Sequence, residues 1–162
     1  MNNIFVRYSI FFLLAILLQA TIIPYFTIFQ WKPDLVVIVL TAFAFRTGYN
    51  WGTTAGFFSG LVTDLLSAHL LGLNALSKTI AGYTAASLGN LFQEQGRFIM
   101  TLLITSFVHD VVYFFVLTLG EQFSLKLLLL QLTIPNTFYT VLVGAFIYYI
   151  WNRWFELEEF SA

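Results

Sequence analysis

Three stretches of the chain are uninterrupted apolar runs. Tyr8 to Tyr25, Phe98 to Leu119 and Leu127 to Trp151 each hold roughly twenty residues without Lys, Arg or Glu. About 20 residues, rising 1.5 Å each, cross the ~30 Å hydrocarbon layer of a bilayer, so each run predicts a transmembrane helix. A membrane β-strand must alternate between apolar and polar positions, and strings such as Leu127-Leu128-Leu129-Leu130 do not. Nor do the runs carry the polar stripes at helical spacing that a soluble bundle turns to water.

The middle third is divided by turn residues, because between Trp31 and Leu91 the charged positions are only Lys32, Asp34, Arg46, Asp64 and Lys78. Pro33 suits a first helical turn and Asp34 its positive end, which predicts a second helix from about Lys32 to Arg46. The string Arg46-Thr47-Gly48-Tyr49-Asn50 reads as a tight interfacial turn. A third helix follows from about Trp51 to Leu66. Ser67-Ala68-His69 leads through Gly72 into a fourth, from about Leu73 to Phe92. Gln93-Glu94-Gln95-Gly96-Arg97 is the clearest loop, Gly120 to Lys126 the next break, and Glu156 to Ala162 a short acidic tail.

The pattern therefore predicts an all-α, polytopic membrane protein: a compact six-helix transmembrane bundle over residues 1–155, with residues 156–162 as a cytoplasmic tail. Helices two and three are short, and a tilted or re-entrant segment is tolerated only where protein covers its ends. By this partition no loop exceeds roughly ten residues, which leaves no room for a large catalytic or receptor domain.

Composition agrees with the pattern. Of 162 residues, 59% are hydrophobic and 9% charged, far fewer charges than a water-facing surface of this size needs. The formal net charge of -1 implies no nucleic-acid partner, and the absence of cysteine excludes disulfides and thiolate chemistry. Arg7 ahead of Ile10 to Leu18 imitates a secretory signal, but Gln19-Ala20-Thr21-Ile22-Ile23-Pro24 offers no convincing cleavage site, so the first helix is read as retained. With the amino terminus inside, the inner segments carry Arg7, Arg46, Arg97 and Arg153 and the outer ones Lys32 and Lys126. That bias predicts both termini in the cytoplasm.

Small residues form the most ordered pattern. Gly48, Gly52, Gly56 and Gly60 recur every four residues, and Asp64 continues the spacing. A parallel pair of rows, Ser77-Ala81-Ala85-Gly89 and Lys78-Gly82-Ala86-Asn90, marks the fourth helix. Such rows let two helix backbones approach closely in lipid, which predicts tight packing of helices three and four. Asp64 and Lys78 then fall near the outer ends of their helices, as an ion pair, as snorkelling anchors or as a contact for a partner or substrate.

Asp110, about twelve residues into the fifth helix, must face the bundle, a polar cavity or another protein. Whether Lys78 reaches it depends on depth. In the last helix Asn136, Thr140, Gly144 and Tyr148 share four-residue spacing, and Pro135 should free a carbonyl in the preceding turn. Asn136 can satisfy that carbonyl or reach a neighbouring helix.

Catalytic patterns are missing. There is no His-Glu-x-x-His, Walker, nucleophile-elbow or dinucleotide motif. The candidates Asp64, His69, Lys78, His109 and Asp110 occur singly, and adjacent His109 and Asp110 leave a helix about 100° apart, so they are not expected to form a base and its orienter. The chain is read as no enzyme, with no cofactor or metal. Aromatic residues, 19% of the chain, serve as interfacial and lipid-facing anchors, with a belt at Tyr148 to Trp154.

The ordered string Gly56-Phe57-Phe58-Ser59-Gly60-Leu61-Val62-Thr63-Asp64-Leu65-Leu66, then Leu71-Gly72-Leu73-Asn74-Ala75-Leu76 and Gly82-Tyr83, resembles the core signature of the bacterial rod shape-determining MreD family. Pro33-Asp34-Leu35 and Ile134-Pro135-Asn136 look like that family's second-helix start and last helix, so the resemblance covers nearly the whole chain. It implies a noncatalytic scaffold in the bacterial inner membrane, part of the elongasome that supports rod shape and sidewall peptidoglycan synthesis. Its implied partners are an MreC-like bitopic protein, an MreB-like filament system, and the wall glycan polymerase and transpeptidase, with membrane lipids around it. The family's fold is similar to that of the substrate-binding membrane subunits of vitamin transporters, which implies an alternative: a small-molecule or vitamin transporter subunit. The residues expected to pack helices or meet a partner are Gly52, Gly56, Gly60, Asp64, Lys78, Gly82, Asp110 and Asn136; under the transporter reading Asp64, Lys78, Asp110 and Asn136 would line a central polar pocket.

Overall fold

A computed structural model describes residues 2–27, 30–67, 70–89, 91, 96–119 and 125–155. Helix α1 spans Asn2–Thr21 and gives way, just before Pro24, to the 3-10 turn Ile23–Phe26. Then come α2, Leu35–Thr47; α3, Tyr49–Leu66; α4, Leu73–Leu88; and α5, Arg97–Leu117. The last rod is continuous: α6, Leu125–Leu127, a π-helical stretch, Leu128–Thr133, and α7, Ile134–Phe155. The expected loop at Gln93 to Gln95, the break at 120–124, the tail at 156–162, and Ala68, His69, Asn90 and Phe92 lie outside the described residues.

The architecture is all-α and multi-pass. Three stretches are long and apolar enough to cross a membrane, namely Ile4–Thr21, Arg97–Leu117 and Leu128–Ile150. The distribution of polarity is inverted relative to a soluble protein. Phe57, Phe58, Leu65, Tyr83, Phe138 and Phe146 stand exposed, while Lys78, Asp64, Asp110, Thr41 and Ser77 are buried. Water would reject such a surface, whereas lipid has no other kind to prefer.

Helix α2 holds the centre. It touches α1, α3, α4, α5 and α7, and Val36, Val37, Leu40 and Thr41 have no exposed surface. Its shortness is therefore tolerated because protein covers it. Its first turn differs from the expected start at Lys32, since Asn136 Oδ1 accepts the Lys32 N–H at 3.0 Å and Thr140 Oγ1 accepts that of Asp34 at 3.1 Å. Gln19 completes the join, accepting from Leu35 N at 2.9 Å and donating to the Pro33 carbonyl at 3.1 Å. Residues 32–34 are thus an extended strap tied to α7 and α1, and the helix begins only after Asp34 caps it.

Around α2 the other rods follow in the order α1, α3, α4, α5 and α7, each in contact with the next. Among the described residues the backbones of α1 and α7 do not approach each other closely, which leaves a groove over α2. Gly48 turns α2 into α3 in a single residue with φ of 82°, a left-handed conformation that favours glycine.

At Pro135 the ring nitrogen has no hydrogen to give the Gln131 carbonyl four residues earlier. The π-helical stretch ends at Thr133, two residues before it, and Trp31 Nε1 donates to the Gln131 carbonyl at 2.8 Å. Neither the wider turn nor the tryptophan was legible in the sequence. Replacing Trp31 by Phe should cost about 1 kcal/mol, and less in a Pro135→Ala background, where the new N–H can serve that carbonyl. A double-mutant cycle of thermal midpoints in detergent measures the coupling; equal costs in both backgrounds would contradict this account.

Candidate functional site

The glycine row of α3 lies against α4. A Cβ on Gly52 would meet Ala44 Cβ at 2.7 Å and the Gly82 carbonyl oxygen at 2.9 Å. On Gly56 it would run into the Lys78 carbonyl, on Gly60 into Asn74 and Ala75 backbone, and on Gly82 into the Gly52 carbonyl. Backbone meets backbone along this seam, at a separation that no other residue allows. The seam also places the carboxylate of Asp64 at the start of α4.

Asp64 behaves as an intersegment cap. Its Oδ2 accepts from Gly72 N at 2.9 Å and Ala75 N at 3.0 Å, and its Oδ1 from both Asn74 N and Asn74 Nδ2 at 2.9 Å. These are the unpaired N–H groups at the helix start, where a negative charge is favoured. Lys78, one turn further in, is therefore left to another acid. Its Nζ donates to Asp34 Oδ2 at 2.7 Å and Asn74 Oδ1 at 2.9 Å, and lies 3.4 Å from His109 Nε2. Neither Asp64 nor Lys78 snorkels: their exposures are 2% and 0%.

The cluster continues into α5 and α7. His109 Nδ1 lies 3.0 Å from Asp110 Oδ1, so these neighbours do meet, against the expectation from their 100° separation. Direction from the helix axis fixes only Cβ, and the short carboxylate folds back to the ring. Lys78 has no acceptor to offer, so a hydrogen bond between the two requires Nε2 to accept, with Nδ1 carrying the hydrogen towards Asp110. Asp110 also accepts from Asn136 Nδ2 at 3.2 Å and Thr137 Oγ1 at 2.9 Å. Lys78 does not touch Asp110 directly; His109 bridges them.

Of the residues expected from the sequence, Asp64, Lys78, Asp110 and Asn136 therefore fall in one buried polar network, joined through Asn74 and His109, while Gly52, Gly56, Gly60 and Gly82 form the seam beside it. Asp34, read from the sequence only as a helix start, is the counter-ion of Lys78. The row from Asn136 also faces inward: Thr140 holds the strap, a Cβ on Gly144 would overlap Leu102, and Tyr148 stacks on Phe98 at 5.1 Å.

Two cavities flank this core. One, of about 460 Å³, is the groove between α1 and α7, walled by Phe11, Leu14, Leu18, Ile38 and Ile147 and floored by Ala42, with Arg7 and Arg46 at one end. The other, of about 450 Å³, reaches Asp34, Asn74, His109, Asp110 and Asn136 from a rim that includes Gln30 and Lys32. No group of three or more His, Cys, Asp or Glu placed to hold a metal occurs among the described residues.

The model of one protein family, rod shape-determining protein MreD, matches residues 1–157. No curated protein and no solved structure matches the chain.

Proposed function

Because the chain belongs to the MreD family, and is with it a noncatalytic, multi-pass inner-membrane component of the elongasome, we propose that it is a scaffold seating one transmembrane helix of an MreC-like bitopic partner. Through that partner it positions an MreB-like filament system and the wall glycan polymerase and transpeptidase. The seat is the groove between α1 and α7. The observation that carries this reading is an apolar, open channel along α2, with small residues Ala15, Ala42 and Gly144 among its lining, that no described element of the chain fills. Helices in lipid associate through such close-packed surfaces, since hydrophobicity alone does not separate protein from acyl chains.

In this reading the six helical rods all lie within the bilayer, both termini face the cytoplasm, and the arginines Arg7, Arg46 and Arg97 gather at the inner end. The seam of Gly52, Gly56, Gly60 and Gly82 and the network of Asp64, Lys78, Asp110 and Asn136 act indirectly, by fixing α2 and α7 in place and so setting the width of the groove between α1 and α7.

Filling the groove with Ala42→Phe should reduce co-purification of the partner at least fivefold, while Leu65→Phe, on an exposed position of α3, should leave it unchanged. Pulldown from membranes solubilised in mild detergent measures both. Full partner recovery with a filled groove and a normal melting curve would remove the seat.

The second cavity favours a different reading, in which the fold is that of a vitamin-transporter substrate subunit and Asp110 and Asn136 line its pocket. Transport requires an energising ATPase module, so stable co-isolation with such a module, rather than with cell-wall proteins, distinguishes it.

A further inference from the structure

The groove accounts for one cavity; the other opens on the polar interior, with two carboxylates, Asp34 and Asp110, in its lining against one lysine, Lys32. On its inner wall each amide group gives one of its two hydrogens to the protein itself. Asn74 Nδ2 goes to Asp64, Asn136 Nδ2 to Asp110, His109 Nδ1 to Asp110 and Gln19 Nε2 to the Pro33 carbonyl. Lys78 Nζ has three groups within reach, Asp34, Asn74 and His109, one for each of its hydrogens, so the buried ammonium is engaged by the protein.

Acceptors remain. A carboxylate has about four acceptor directions. The described donors fill two on Asp34, from Val37 N and Lys78 Nζ, and three on Asp110. The Asp34 side chain is 13% exposed where its partner Lys78 is 1% exposed, so the open side of the carboxylate faces the cavity. The lining charges point the same way, because Lys32 is exposed at the rim while Asp34 and Asp110 lie on the inner wall. The ring of Tyr113, stacked on His109 at 6.0 Å, and that of Phe114 add aromatic wall, and a desolvated cation over such faces gains further attraction.

We propose that this cavity binds a small organic cation, a primary ammonium or amidinium attached to an apolar group, with its charged head at Asp34 and Asp110 and its body against Tyr113 and Phe114. Anions are disfavoured because the carboxylates of Asp34 and Asp110 line the inner wall, whereas Lys32 lies out at the rim and the buried Lys78 is engaged by the protein. The volume of about 450 Å³ lies within the range of small-molecule sites. The site is separate from the α1–α7 groove and stands whether or not a partner helix occupies that groove.

The test uses the full chain in detergent and three probes of one shape: phenethylammonium, 2-phenylethanol and 3-phenylpropionate. Saturable binding of the ammonium alone is expected by calorimetry, with Kd on the order of 0.1–1 mM. Ala20→Phe, which places a ring in the cavity from a wall position that is itself exposed, should weaken binding at least tenfold while keeping the ligand-free melting temperature and partner co-purification. Equal or tighter binding of the alcohol or the carboxylate overturns the proposal. So does uptake of the ammonium that fails to saturate or is unchanged by Ala20→Phe, which is partition into the micelle. Binding that appears only in Lys32→Ala also overturns it, because the chain's own lysine is then the occupant.

Discussion

Gly56→Leu is expected to abolish the folded protein. A single added Cβ at this position already overlaps the Lys78 carbonyl, with the Thr79 Cα at 3.1 Å, and the obstacle is backbone on both sides, so no rotamer change relieves it. Alanine should cost about 1–3 kcal/mol, the usual range for overpacking a core. Leucine has no accommodation short of parting α3 from α4. That parting would also withdraw Asp64 from Gly72, Asn74 and Ala75, exposing the start of α4 to lipid with its N–H groups unpaired. The expected readout is a lowered melting temperature for Gly56→Ala and no monodisperse peak for Gly56→Leu on size-exclusion chromatography. Thr54→Leu, on an exposed position of the same helix, is the control and should behave as the parent. A well-folded Gly56→Leu protein would mean that the seam is wider than described.

Lys78→Met ranks next. The substitution keeps length and bulk but removes the ammonium that Asp34, Asn74 and His109 surround. Removing one partner of a buried ion pair costs about 3–5 kcal/mol, because the remaining charge is left without compensation. The consequence extends beyond the pair, since Asp34 also caps α2 through Val37 N and α2 touches most of the other rods. In the double variant Lys78→Met/Asp34→Asn the uncompensated charge disappears while the asparagine can still cap the helix. Most of the lost stability should therefore return, as measured by thermal midpoints of the four proteins in one detergent. If the double variant is less stable than Lys78→Met alone, Asp34 is not the group that the lysine compensates.

Much of the fold was readable because lipid imposes simple demands. Apolar runs of spanning length gave the long helices, and the turn at Gly48 follows from a residue that alone accepts its φ. The four-residue glycine spacing pointed to helices three and four, because a bare helix face in lipid has little purpose except close approach. The site was less legible. Asp64 and Lys78 lie on neighbouring helices with opposite charge, which suggests a pair, yet the N–H groups at the start of α4 claim Asp64 and the strap after Pro33 delivers Asp34 to Lys78. The Asp34–Lys78 contact joins residues 44 positions apart, and no local pattern encodes it. His109 and Asp110 were separated by helical geometry at the level of Cβ, and brought together by side-chain rotation that only the surrounding packing selects.

What the sequence by itself determined is the solvent: with few charges and long apolar runs, the chain can turn only its polar groups inward. It also determined the α3–α4 seam, since glycines at one spacing leave one productive use for that face. Tertiary structure alone decided which buried groups pair, that residues 32–34 form a strap rather than a helical turn, and that α1 and α7 stand apart to leave a groove. Those outcomes depend on the relative depth and rotation of whole helices, which are set by many weak packing contacts summed over distant segments, and no stretch of sequence carries that sum.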